Sequence, residues 1–206
     1  MASVYDLKPA FQNLLRPLVR ALAARGVSAN QVTVSAFLLS VAAGGSIAGL
    51  PHARWPLLLL APVLLLRMAL NAVDGMLARE HAQKSTLGAF LNELGDVGSD
   101  AALYLPLSRV PGFEPALVVA IVILALASEM AGVLAAQLGA SRRYDGPMGK
   151  SDRAFVFGAL GLALGLGAPA GGWLTPVLAL VAVLLVLTIL RRVHRGMDEI
   201  RARAER

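Results

Sequence analysis

Six apolar stretches rich in Leu, Ala and Gly divide the chain, near 32–50, 55–78, 87–108, 113–138, 153–170 and 174–193. Crossing the hydrocarbon of a bilayer takes about 20 helical residues, and each stretch is about that long. None alternates apolar with polar as a half-buried strand would. A helix satisfies its own backbone in lipid, so all six are predicted helical. The first 30 residues have another pattern. Phe11, Leu14, Leu15, Leu18, Val19 and Leu22 share one helical face, bordered by Arg16, Arg20 and Arg25, as in a helix lying along the membrane surface. The expected fold class is all-α integral membrane: an N-terminal amphipathic interfacial helix over 1–30, six transmembrane helices over 31–195, and a basic cytoplasmic tail over 196–206.

Composition agrees. The chain is 57% hydrophobic and 16% charged, with a mean hydropathy of +0.67, whereas a soluble domain averages about 45–50% apolar and about 25% charged. It has no cysteine, which excludes disulfides and thiolate metal sites. Nothing at the start resembles a cleaved signal. Of 19 Lys and Arg, sixteen lie before the first stretch, in or directly beside the 79–86 and 139–152 connections, or at and beyond the end of the sixth stretch; Arg54 and Arg109 alone occupy the opposite loops, with Arg67 inside the second stretch. Such asymmetry predicts a multi-pass inner-membrane protein with both termini cytoplasmic. The pI near 10.5 is then a matter of anionic lipid and anionic substrates, and no nucleic-acid partner is expected.

Polar residues break the apolar pattern in two places. Arg67, Asn71, Asp74, Gly75 and Ala78 fall on one side of the second helix, and Gly88, Asn92, Asp96 and Asp100 form an i,i+4 stripe on the third, with Glu93 beside it. Ionisable groups at membrane depth are costly and mark function by default. The short 80–86 connection makes these helices antiparallel neighbours, with their stripes face to face. Clustered oxygen ligands without Cys or His suit a hard divalent cation, Mg²⁺ or Mn²⁺, which characteristically also binds substrate phosphate. Gly75 and Gly88 would let a phosphate or nucleoside approach the backbone.

The stretch Asn71-Ala-Val-Asp74-Gly75-Met-Leu-Ala78-Arg79, followed at fixed distances by Gly88, Asn92 and Asp96, resembles the signature of the CDP-alcohol phosphotransferase family, D-x2-D-G-x2-A-R-x8-G-x3-D-x3-D. Ala29-Asn30-Gln-Val-Thr33 and Gly149-Lys150-Ser-Asp-Arg153 are similar to two less specific family segments. The resemblance implies six helices behind an interfacial helix, commonly in a homodimer. It implies attack by an alcohol on the β-phosphorus of a CDP-linked lipid, CDP-diacylglycerol here, with release of CMP. The motif acids would hold two divalent metals. Asp74 would be a metal ligand, Asp96 the general base and a ligand as well, and Gly75, Ala78, Arg79 and Gly88 would line the CDP site. Lys150 and Arg153 would meet the phosphate of the acceptor, a small polar alcohol with or without a phosphate of its own.

Two positions depart from the signature. Asn71 and Asn92 stand where the family has aspartates, each removing one negative charge while keeping an amide oxygen. Three consequences stay open: one metal ion in place of two, with both amides as ligands; restoration of charge by Glu93 or Asp100; or a catalytically silent protein that binds CDP-lipid. A small transporter is a further alternative, weakened by the confinement of the polar stripe to one helix pair. Several residues also have a purely structural reading. Arg67 lies about 10 Å along the helix from Asp74, where Asp100 and Glu129 are the acids best placed to pair with it. Arg142 and Arg143 read as cytoplasmic anchors, Asn30 and Thr33 as caps, His52, His81 and His194 as solvated, and Gly158, Gly161 and Gly165 as close-packing positions.

Overall fold

The computed structural model describes residues 4–205, with side chains from residue 11 onward; of the charge pattern, the Lys8 side chain and Arg206 lie outside what is described. Among the described residues seven helices follow one another: α1 (Val4–Ala24), α2 (Ala29–Gly49), α3 (Trp55–Glu80), α4 (Thr86–Tyr104), α5 (Pro115–Gln137), α6 (Lys150–Gly165) and α7 (Leu174–Ala204), with a 3₁₀ turn (Leu105–Arg109) extending α4. Local chemistry sets the boundaries. Gly26 takes a positive φ of 75° to turn α1 away. Ser28 then caps α2 by accepting from Gln31 N while Gln31 Oε1 accepts from Ser28 N, a reciprocal capping box. The cap is therefore Ser28, and the expected caps Asn30 and Thr33 lie inside the helix. Ser85 caps α4 by accepting from Gly88 N at 2.9 Å. The 196–206 tail is helical as far as Ala204 as the end of α7.

α2, α3, α5 and α7 are long and apolar enough to cross a membrane. α4 carries Glu93, Asp96 and Asp100, and α6 has only 16 residues and opens with Lys150, Asp152 and Arg153. Large apolar side chains point outward on every one of these helices, among them Leu38, Leu65, Phe90, Leu94, Ile123, Met130, Phe155, Leu180 and Leu190. That outward apolar surface is what a bundle in lipid presents.

The interior core joins α2 through α7, with Tyr104 stacked on Phe157 at 4.3 Å. A second cluster seats α1: Val19 is buried against Val73, Met76 and Leu77 of α3, with Leu15 and Leu22 packed alongside. Phe11, Leu14 and Leu18 stay exposed, so the expected single apolar face of α1 is divided between protein and surroundings. The expected packing of α3 on α4 is also revised. α3 packs on α2, α6 and α1; α4 packs on α2 and α5; the two are not close-packed with each other. A gap separates them, crossed by polar side chains.

Small residues bring backbones together where they do pack. A Cβ on Gly161 would stand 2.8 Å from Leu57 O and one on Gly165 2.6 Å from Leu58, so α6 lies directly on α3, as their sequence reading suggested. α4 presents Gly88, Gly95 and Gly98 to Asn30, Thr33 and Phe37 of α2. The tightest contact closes this seam: a Cβ on Gly44 would lie 1.8 Å from the carbonyl oxygen of Ala102, whereas one on Gly45 would meet nothing within 4 Å. Gly44→Ala should therefore destabilise the protein by about 1–3 kcal/mol through overpacking. Gly45→Ala, with the same change in helix propensity, should leave it unchanged or slightly more stable. Thermal unfolding in detergent measures both, and equal midpoints would refute the close α2–α4 contact.

Candidate active site

The gap between α3 and α4 is a cavity of about 770 Å³. α3 supplies Asn71, Asp74, Gly75, Ala78 and Arg79; α4 supplies Gly88, Ala89, Asn92 and Asp96; Lys150 enters from the start of α6. α2 adds Ala29, Asn30 and Thr33, and the connecting loop adds Gln83, Lys84, Ser85 and Thr86. Every signature position thus faces one space, together with Asn30 and Thr33 of the segment opening α2.

Asp74 accepts from Thr33 Oγ1 at 2.8 Å, which ties α3 to α2. Asp96 is held through one oxygen: Asn71 Nδ2 donates to Oδ1 at 2.8 Å, Lys150 Nζ pairs with the same atom, and Arg67 Nη2 stands 3.6 Å away. Arg67 Nη2 also donates to the Asp96 carbonyl at 2.8 Å. Among the described residues Oδ2 of Asp96 has no protein partner. The two glycines make room for side chains: Arg79 folds back to 3.1 Å from where a Cβ of Gly75 would stand, and Asn30 Oδ1 lies 2.8 Å from the equivalent point at Gly88. Gln83 Oε1 accepts from Ala29 N at 2.6 Å, pinning the loop to the start of α2.

Three expected site residues stand elsewhere. Asp100, one turn deeper than Asp96, is buried and accepts from Arg67 Nη1 at 2.5 Å and from Arg153 Nη2 at 2.8 Å and Nε at 3.1 Å. It restores no charge to the cavity, because two guanidinia already compensate it. Arg153 is fully buried, completing its bonds with Met148 O and Glu129. It has no free face for an acceptor phosphate. Glu93 points the other way, into an apolar groove of about 680 Å³ between α4 and α5, where Arg142 pairs with it at 2.8 Å. Glu129 pairs with Arg153, Arg192 and Arg142 at 3.2–3.4 Å, and Arg67 is not among its partners. Arg192, read in the sequence as a charge beyond the last span, is buried and donates to Ser128 O and Asp145 O. Its i,i+4 alignment with Thr188, itself buried, was the available signal.

Arg142 and Arg143 do more than anchor. Arg143 bridges Asp145 at 2.7 Å and Glu199 at 2.9 Å, fastening the 138–149 loop to α7. Burial tends to raise the Asp145 carboxyl, but the Arg143 hydrogen bond and the Arg143 and Arg195 charges hold it below the usual carboxylate range.

In chemical terms the helices give the cavity the carboxylates of Asp74 and Asp96, the amides of Asn30, Asn71 and Asn92 and the hydroxyls of Thr33 and Thr86, with Lys84, Arg79 and Lys150 around them. That all-oxygen set fits a hard divalent ion facing a phosphate. Among the described residues no three or more of His, Cys, Asp and Glu cluster as metal ligands, so the amides are needed to complete a coordination sphere.

The model of the CDP-alcohol phosphatidyltransferase family matches residues 26–194. The chain belongs to that family. Membership makes it a transferase of substituted phosphate groups and displaces the transporter reading. It is 43% identical over 192 residues, 92% of this chain and 94% of the other, to the inner membrane protein YnbA of Escherichia coli strain K12. Its fold is similar to that of the phosphatidylinositol phosphate synthase PgsA1 of Mycobacterium tuberculosis. With CDP-DAG bound, that structure gives a TM-score of 0.73 at 23% identity, covering 87% of this chain and 92% of the other. With manganese and citrate it gives 0.73 at 23%, covering 88% of each.

Two predictions follow from the charged interior. Asp100→Asn should cost about 3–5 kcal/mol by leaving Arg67 and Arg153 buried without their carboxylate; an unfolding midpoint close to wild type would contradict the pairing. The Asp145 carboxyl has a lower pKa folded than unfolded, so its stabilisation is complete above the unfolded value. It is lost as pH falls through the folded one, below about 4. Asp145→Asn should accordingly flatten stability against pH in that acid window and leave the slope above it alone.

Proposed function

We propose that this protein moves the phosphatidyl group of CDP-diacylglycerol to the hydroxyl of a small polar alcohol and releases CMP. The observation that carries the reading is the convergence of all the signature positions with Asn30, Thr33 and Lys150 on one cavity. The CDP-DAG bound in the structure of similar fold supports the choice of donor, and the manganese in another supports a divalent ion, Mg²⁺ or Mn²⁺.

The roles follow from the chemistry. The acceptor hydroxyl attacks the β-phosphorus, the bond from that phosphorus to the bridging oxygen breaks, and CMP departs with the bridging oxygen. Asp96 takes the hydroxyl proton on Oδ2, the oxygen without a protein partner. Asp74, Asp96 and the amide oxygens of Asn71 and Asn92 would hold the divalent ion, which when bound neutralises diphosphate charge. Gly75, Ala78, Arg79 and Gly88 line the cytidine diphosphate, with Asn30 at the same wall. Positioning and charge neutralisation are what phosphoryl transfer chiefly needs. Lys150, with Arg79 and Lys84 on the same cavity, is the cation toward an anionic acceptor, while Arg153 is committed to Asp100 and Glu129.

In this reading α4 and α6 complete a six-span bundle, because the pairs Arg67–Asp100 and Arg153–Glu129 satisfy their charges inside it. α1 lies along the cytoplasmic surface, both termini are cytoplasmic by the charge asymmetry, and the inner membrane is the location, as the YnbA name suggests. A homodimer is the proposed assembly. A second reading, binding of CDP-lipid without turnover, draws on Asn71, which donates its amide to Asp96.

One experiment separates the two. Purified protein with CDP-diacylglycerol, Mg²⁺ or Mn²⁺ and a panel of alcohols should release CMP with at least one acceptor, and Asp96→Asn should reduce release by about 10²-fold or more. Tight CDP-lipid binding without CMP from any acceptor would establish the silent reading. Unchanged release from Asp96→Asn would remove Asp96 from the base role.

A further inference from the structure

We propose that this site takes a single divalent cation and that the Lys150 ammonium, seated on Asp96, is its second positive charge. The inference rests on the transferase reading and specifies how its charges are balanced. Among the described residues only two carboxylates line the cavity, Asp74 and Asp96. The two acids nearby in sequence are committed elsewhere, Asp100 to Arg67 and Arg153 and Glu93 to Arg142.

Of the two carboxylates, Asp96 is already half engaged. Its Oδ1 receives Lys150, accepts from Asn71 and faces Arg67. A second dication would have to displace this arrangement and stand beside an ammonium and a guanidinium. The asparagine explains why none is needed. An aspartate at 71 would place two carboxylates in contact and require a cation between them, whereas the Asn71 amide donates to Asp96 directly. With Lys150 counted, the two carboxylates leave one net negative charge, which a single dication on the Asp74 side turns positive toward a diphosphate.

The test counts ions. Full-length protein in detergent with CDP is titrated with Mn²⁺, and free ion is read from its electron paramagnetic resonance signal. Wild type should bind one Mn²⁺ per chain with an uncoupled six-line spectrum, and Lys150→Arg should do the same. Lys150→Met should bind Mn²⁺ roughly fivefold or more tightly while releasing less CMP, opposite directions that a merely structural lysine would not produce. Lys150→Met combined with Asn71→Asp and Asn92→Asp should bind two ions with an exchange-coupled spectrum. Two ions in wild type, none at all, or weaker binding in Lys150→Met would each overturn the proposal. Counting needs no turnover, so one ion in a protein that releases no CMP leaves it standing and overturns the transferase reading alone.

Discussion

Everything in this bundle is arranged around a carboxylate that cannot be left alone. Asp100 is buried, and an uncompensated charge there would cost several kcal/mol, a large share of the stability of most domains. Arg67 from α3 and Arg153 from α6 meet it from two sides. Arg153 passes the requirement on to Glu129 of α5, and Glu129 passes it to Arg192 of α7. Five helices are therefore held in register by charges that must find each other. The same bonds explain why α3 and α4 stand apart. Arg67 reaches across their separation to Asp100, and the cavity occupies that separation one turn above, where Asp96 takes the place of Asp100.

Much of the site was legible in the sequence, because its residues sit at helical spacing on two consecutive segments and the signature names them in order. Asp74, Gly75, Ala78, Arg79, Gly88, Asn92 and Asp96 share a wall for the reason periodicity gives. What was not legible is partner choice. Arg153 and Lys150 are three residues apart at the start of α6, yet one is fully buried on Asp100 and the other faces the cavity. Glu129 is as close in hydropathy terms to Arg67 as Asp100 is, and the fold pairs it with three other arginines. Such choices depend on which helices touch, and the α2 wedge between α3 and α4 has no sequence signal beyond the glycines of the seam. Four helices stand out as spans by composition, while α4 and α6 carry their charges in internal pairs that a linear hydropathy reading counts against them.

The two asparagines recast the site without dismantling it. An amide is an oxygen ligand on one side and a donor on the other, so Asn71 can address Asp96 directly while its carbonyl stays available. Removing negative charge from a membrane-embedded cluster also lowers the cost of keeping that cluster folded before any ligand arrives. The family architecture is kept, and the electrostatics within it are redistributed among Asp74, Asp96 and Lys150.

The contact between Gly44 and the Ala102 carbonyl has a mechanical consequence. Backbone pressed on backbone has no rotamers to yield, so repulsion there rises within tenths of an ångström. With the glycines at 95 and 98 against Thr33 and Phe37, it makes the α2–α4 seam the stiff wall of the cavity. Compliance then resides on the α6 side, where the cavity lining is the four-carbon chain of Lys150. Under the proposed function a nucleotide-lipid and its products would exchange against an α2–α4 wall that does not yield, with adjustment left to the flexible side chains that line the cavity.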